Sequence, residues 1–107
     1  MARTLSRPDF SAVPWARDLL ALGRLVRNKR LEQSMRIDDA AALIGVSANV
    51  LSRLENGHPV GADRLFRILD GLGLNMLVVA KADSPAALRA LSNVSGRTTA
   101  SHPAEKS

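Results

Sequence analysis

The feature that most constrains this 107-residue chain is Gly45, which directly follows Ala40-Ala41-Ala42-Leu43-Ile44 and stands two residues before Ser47. An alanine-rich run ending in glycine reads as a short helix closed by a residue suited to the left-handed conformation. Asp38 and Asp39 fit its first turn, where carboxylates meet the positive end of the helix dipole. They are no catalytic pair, because adjacent helical side chains diverge by about 100°. Ser47 is a good N-cap for a following helix. In that helix Leu51 and Leu54 form the inner face, and Asn56-Gly57 ends it. Ala41 is small enough for the two helices to approach closely, and Val46, Leu51 and Leu54 hold the second against a core. Ala48, Asn49, Ser52 and Arg53 are left facing outward.

The flanking segments supply the rest of a domain. Trp15, Leu19, Leu22 and Val26 recur at four-three-four spacing, one stripe of a helix. Pro14 suits its start, since an N–H there has no partner to lose, and the helix ends near Gln33 and Ser34. Trp15 is read as a core residue at the helix start; the alternative is a partner-binding anchor. A later helix over residues 61–72 buries Leu65, Ile68, Leu69 and Leu72, and Gly73 closes it. The run 74–80 is short, β-branched near its end and follows a glycine, so a strand is expected; an extension of the preceding helix or plain coil remains the alternative. A lone strand has two open edges, and the simplest solution is the same strand of a second copy across a two-fold axis. Leu74, Met76, Leu77, Val78 and Val79 would make that contact. Residues 85–91 suit one or two helical turns.

The expectation is an all-α fold of four to five helices with one short C-terminal strand pairing across a homodimer. Its parts are a flexible arm over residues 1–13, a domain over 14–82, and a mostly disordered tail over 83–107. The tail is rich in Ser, Thr, Gly, Ala and Pro, with Val94 as the one core-forming residue after Ser92.

Composition removes most other classes. Hydrophobic residues are 46% of the chain and aromatics 3%, which suits a small aliphatic helical core. Cysteine is absent and His58 and His102 are isolated, so neither a disulfide framework nor a metal site is expected. No cofactor is expected either. No apolar run approaches the roughly 20 residues a bilayer needs, and Pro8-Asp9 stands where a signal peptide would be apolar. A cytoplasmic protein with no membrane role is expected. With no glycine-rich phosphate loop and no nucleophile–base set, an enzyme is not expected. The net charge is +5. Arg17, Arg24, Arg27, Lys29, Arg30 and Arg36 lie in a stretch whose acids are Asp18 and Glu32. Such a stretch is either a solvated helix face or the footprint of a polyanion.

A helix of the size beginning at Ser47 fits the major groove of B-DNA. There Asn can bind adenine, and Arg guanine, through two hydrogen bonds. Ile44-Gly45-Val46-Ser47 followed by Leu51-Ser52-Arg53-Leu54-Glu55-Asn56-Gly57 resembles the phage-repressor-like (Cro/C1, or XRE) helix-turn-helix family, over residues 22–72. The resemblance implies a helix-turn-helix over residues 37–56. It also implies a structural ion pair between an arginine of the first helix and a glutamate late in the recognition helix, here Arg30 and Glu55.

Two positions depart from the family. Arg36-Ile37 stands where Thr-Gln is usual, so a phosphate-binding glutamine and an N-cap are both replaced, unless Asp38 or Asp39 supplies the cap and Arg36 the charge. Ala48 stands where Gln or Arg is frequent; alanine can touch a thymine methyl but makes no hydrogen bond. Base reading therefore falls on Asn49 and Arg53, with Ser52 secondary and Ala48 a methyl contact. That predicts modest discrimination per half-site and a palindromic operator bound by a dimer. Arg27, Lys29, Arg36, Ser47, Asn56, His58 and Arg64 are the candidate phosphate contacts, with Asn49 near the helix start; these set register and salt dependence. His58 reads equally as a turn residue, and Arg67 as a solvated charge.

The ending Leu72-Gly73-Leu74-Asn75-Met76-Leu77-Val78-Val79 is similar to that of HipB-type antitoxins. In that group the strand pairs between subunits, the protein represses its own operon, and a HipA-like Ser/Thr kinase toxin is the partner. A stand-alone regulator uses the same DNA-facing residues. A pure interaction module is the reading that Ile37 and Ala48 favour.

Overall fold

The computed structural model describes residues 7–9 and 13–100, the last seven of these by backbone alone. Five helices follow in order: α1 (Leu19–Glu32), α2 (Ile37–Ile44), α3 (Ala48–Glu55), α4 (Ala62–Gly71) and α5 (Ser84–Ala100), the last preceded by a 3-10 turn at Lys81–Asp83. The chain divides into two units, Met1–Met76 and Leu77–Ser107.

The first unit is built around Val26 of α1, Ala40, Ala41 and Ile44 of α2, Leu51 and Leu54 of α3, and Ile68, Leu69 and Leu72 at the end of α4. Ile37 and Leu65 are half-buried against this cluster. Removing that much aliphatic surface from water, at roughly 25 cal/mol per Å², is the main force holding the helices together. Two glycines set how close they come. A Cβ on Gly23 would lie 2.1 Å from the Leu54 carbonyl oxygen, so the α1–α3 crossing admits no side chain there. A Cβ on Gly71 would lie 2.7 Å from Ile44 Cγ1, which sets the approach of α2 to α4. The Gln33 amide adds a cross-link, donating to the Leu72 carbonyl at 3.0 Å.

Each of the first four helices stops in the same way. Gly45, Gly57 and Gly73 take φ of 93°, 81° and 77°, and Ser34 takes 57° after α1. In each case the amide one residue further on reaches back five residues. Met35 donates to the Arg30 carbonyl, Val46 to Ala41, His58 to Arg53 and Leu74 to Leu69, at 2.8–3.2 Å. These bonds satisfy carbonyls that a helix end leaves open.

The start of α1 corrects the sequence reading. The helix opens at Leu19, not at Pro14, because Asp18 is the N-cap and its carboxylate accepts the Ala21 amide at 2.8 Å. Proline offers no such acceptor. Trp15 consequently lies outside the helix and outside the core, 49% exposed, with the Arg17 guanidinium 5.2 Å from its ring centre. The apolar stripe begins at Leu19. The end of the chain differs too: α5 runs for 17 residues where one or two turns were expected. The parts of the arm at residues 1–6 and 10–12, and of the tail at 101–107, lie outside the described residues.

Residues 74–80 form neither helix nor ladder in the single chain, and no strand occurs among the described residues. Their side chains are largely uncovered: Leu77 is 69% and Val78 90% exposed.

Candidate nucleic-acid interface

Helix α3 presents two opposite arcs. At about 100° per residue, Leu51, Leu54 and Glu55 fall on one side and are buried. Asn49, Ser52 and Arg53 fall on the other, with Ala48 at its edge beside Glu55; all four are exposed except for a half-buried Ser52. Ser47 caps the helix, its hydroxyl accepting the Val50 amide at 3.0 Å, a bond worth about 1 kcal/mol. The cap and the preceding Gly45 together set the direction in which α3 leaves the turn. Arg67 of α4 braces the turn from outside, its guanidinium donating to the Gly45 carbonyl at 3.3 Å. Nothing local to Arg67 separates it from a solvated charge, since Gly45 is 22 residues away.

The inner side of α3 is held by Arg30. Its Nε and Nη2 donate to the two Glu55 carboxylate oxygens at 2.7 and 2.8 Å, and its Nη1 donates to the Met35 carbonyl at 2.8 Å. Both residues are 6% exposed. Arg30 therefore joins α1, the connection to α2 and the end of α3, and its charge is committed to the interior.

The other named positions are distributed as follows. Arg53 is exposed and donates to the Pro59 carbonyl at 3.1 Å, so its guanidinium lies over the loop after α3. Asn56 turns back on its own helix, donating to the Ser52 carbonyl at 2.8 Å. His58 lies in that loop, exposed, with its amide used in ending α3. Lys29 pairs with Glu32 at 3.6 Å and Arg36 with Asp38 at 3.8 Å, both near the surface. Arg27 on α1 and Arg64 on α4 are exposed. Arg36 is the N-cap of α2 without a side-chain cap bond, and the Asp38 carboxylate instead accepts the Asp39 amide at 3.1 Å. Ile37, half-buried against the core, thus makes a packing contact at the position of the family's glutamine.

One residue of the surface escaped the sequence reading. The Asn28 side-chain amide accepts the Asp9 N–H and donates to the Asp9 carbonyl at 2.7 Å, clipping the N-terminal segment onto α1. A lone asparagine on an exposed helical face carries no signal of such a contact. Gly23 carried one, a glycine inside a helical pattern, but not the identity of its neighbour.

Among the described residues no group of three or more His, Cys, Asp or Glu is placed to hold a metal, and no helix is long and apolar enough to cross a membrane. A helix-turn-helix family model matches residues 26–79, just over half of the chain, from the middle of α1 through the run after α4. Comparison with curated proteins found no match.

Proposed function

The chain belongs to the XRE-type helix-turn-helix family of DNA-binding regulators, and on that premise we propose that it is a homodimeric, sequence-specific repressor acting as the antitoxin of a HipBA-type system. The observation that carries the DNA-binding part is the exposed arc of α3. Asn49 and Arg53 stand on it opposite a fully buried Leu51 and Leu54. An eight-residue helix capped by Ser47 offers the groove its N-terminal turn and the adjoining outward side chains. Asn49 reads adenine and Arg53 guanine, with Ser52 beside them and Ala48 against a thymine methyl. Arg27 and Arg64 are exposed phosphate contacts, joined by Arg36 beside Asp38 and by Ser47 at the helix cap. Lys29, Asn56 and His58 contribute from positions already engaged within the protein.

The antitoxin part rests on the run after Gly73. Leu77, Val78 and Val79 are uncovered in the single chain, and pairing with the same run of a second copy satisfies both their backbone and their apolar surface. A two-fold dimer of this kind suits a palindromic operator. The partner is then a HipA-like kinase encoded beside this gene.

The test is a titration of the protein with a duplex from its own upstream region and with a scrambled duplex of equal length. Stronger binding to the first by tenfold or more is expected, and equal binding to both sinks the sequence-specific reading. Co-expression with the neighbouring reading frame tests the toxin. A kinase-like product that co-purifies is expected, and an unrelated neighbour reduces the protein to a stand-alone regulator.

A further inference from the structure

We propose that the N-terminal segment is a second DNA-contacting element: Asn28 fastens it to α1 so that Arg7 joins Arg24 and Arg27 around a cleft that seats a backbone phosphate at the C-terminal end of α3. The proposal rests on the reading that α3 meets DNA, and it adds Arg7 and Arg24, which precede the matched family region, to Arg27 and Asn28 within it.

The cleft is lined by Arg7, Arg24, Arg27 and Asn28 together with Glu55 and Asn56. Its charge is positive. Three guanidiniums share its lining with the carboxylates of Asp9 and Glu55, and Glu55 is already paired with Arg30. Guanidinium forks match the geometry of phosphate oxygens. The clip at Asp9 acts on peptide atoms, through one donor and one acceptor of the Asn28 amide, so it sets the backbone path two residues after Arg7. A long cation on a loose segment loses rotamer and backbone freedom when it binds; a fastened segment has lost part of that already.

The position follows from Asn56. It lines the cleft, and its side chain also donates to the Ser52 carbonyl on the outward arc of α3. The cleft is therefore continuous with the surface assigned to the bases, one turn beyond Ser52. A strand of DNA followed past Arg53 brings its next phosphates to this end of the helix. A free anion has the same chemistry, and the experiment separates the two.

Binding of the upstream and scrambled duplexes is measured across a salt series for the wild type, Arg7→Ala, Asn28→Ala and the double variant. One phosphate contact contributes about 0.9 to the slope of log affinity against log salt. Arg7→Ala is expected to lower the slope by that amount on both duplexes. Its affinity loss over a roughly fourfold rise in salt then becomes about threefold smaller, with selectivity and melting temperature unchanged. Asn28→Ala should reproduce the effect, and the double variant should add little, because the clip acts through Arg7. An unchanged slope in Arg7→Ala, or losses from the two substitutions that simply add, overturns the proposal. Inorganic phosphate shifting the Arg7, Arg24 and Arg27 side-chain resonances while Arg7→Ala leaves duplex binding intact assigns the cleft to a free anion and likewise overturns it. If Arg53→Ala abolishes selectivity but Arg7→Ala changes nothing, only the second contact falls. If the wild type binds neither duplex, both readings fall.

Discussion

Arg30 and Glu55 meet through two parallel hydrogen bonds of 2.7 and 2.8 Å, with side chains only 8% and 4% exposed. Such a pair loses hydration on both sides, so its value lies less in net stability than in what happens when one partner is removed. Arg30→Ala leaves the Glu55 carboxylate buried and alone, and the expected cost is about 3–5 kcal/mol in urea unfolding. Replacing both, as Arg30→Met with Glu55→Leu, should recover most of that loss. A single variant as stable as the wild type contradicts a buried, mutually dependent pair.

Gly23 allows α1 to touch the backbone of α3. Gly23→Ala gains helix propensity of about 1 kcal/mol yet places a methyl group 2.1 Å from the Leu54 oxygen. Backbone must move to admit it, and a net loss of about 1–3 kcal/mol is expected in the unfolding midpoint. A stabilised variant means that the helices are not in contact there.

Ser34 is the one non-glycine among the four left-handed helix endings, at φ 57°. A side chain in that region carries strain of about 1 kcal/mol. Ser34→Gly removes it, offset in part by the greater freedom of glycine in the unfolded chain. The melting temperature should rise, and the exposed position leaves DNA binding unaltered.

Arg53 is the test of base reading. Its hydrogen bond to the Pro59 carbonyl is exposed, so Arg53→Ala should change stability by less than about 1 kcal/mol. Preference for the upstream duplex over the scrambled one should fall by about 1–3 kcal/mol, leaving weak, salt-sensitive binding. Full retention of preference removes Arg53 from the reading set.

Val78 tests the proposed strand. At 90% exposure it adds little to the fold of a single chain. Val78→Pro deletes an N–H and restricts the backbone, so sedimentation should show monomers. A variant that remains dimeric places the subunit contact elsewhere.

Local chemistry was enough to read α2, the turn and α3. The Ala40–Ile44 run, Gly45 and Ser47 act on residues within four positions of themselves, so their roles are written in short stretches of sequence. The same holds for the stops at Gly57 and Gly73. The start of α1 failed for a related reason: Asp18 and Pro14 both suit a helix start, and only Asp18 has a side chain that can take up the Ala21 amide.

What tertiary structure decided is everything that depends on distant partners. The buried arc of α3 was legible from Leu51 and Leu54, but the 2.1 Å approach at Gly23, the Arg67 brace on Gly45 and the Asn28 clip on Asp9 join residues 19 to 31 positions apart. A sequence pattern states which face a residue takes, because helical period is local. It does not state which atom on another helix arrives there. Gly45 thus specified by itself that the chain would turn between two short helices. Packing at Gly23, and the grip of Arg30 on Glu55, decided where that turn aims the outward face of α3.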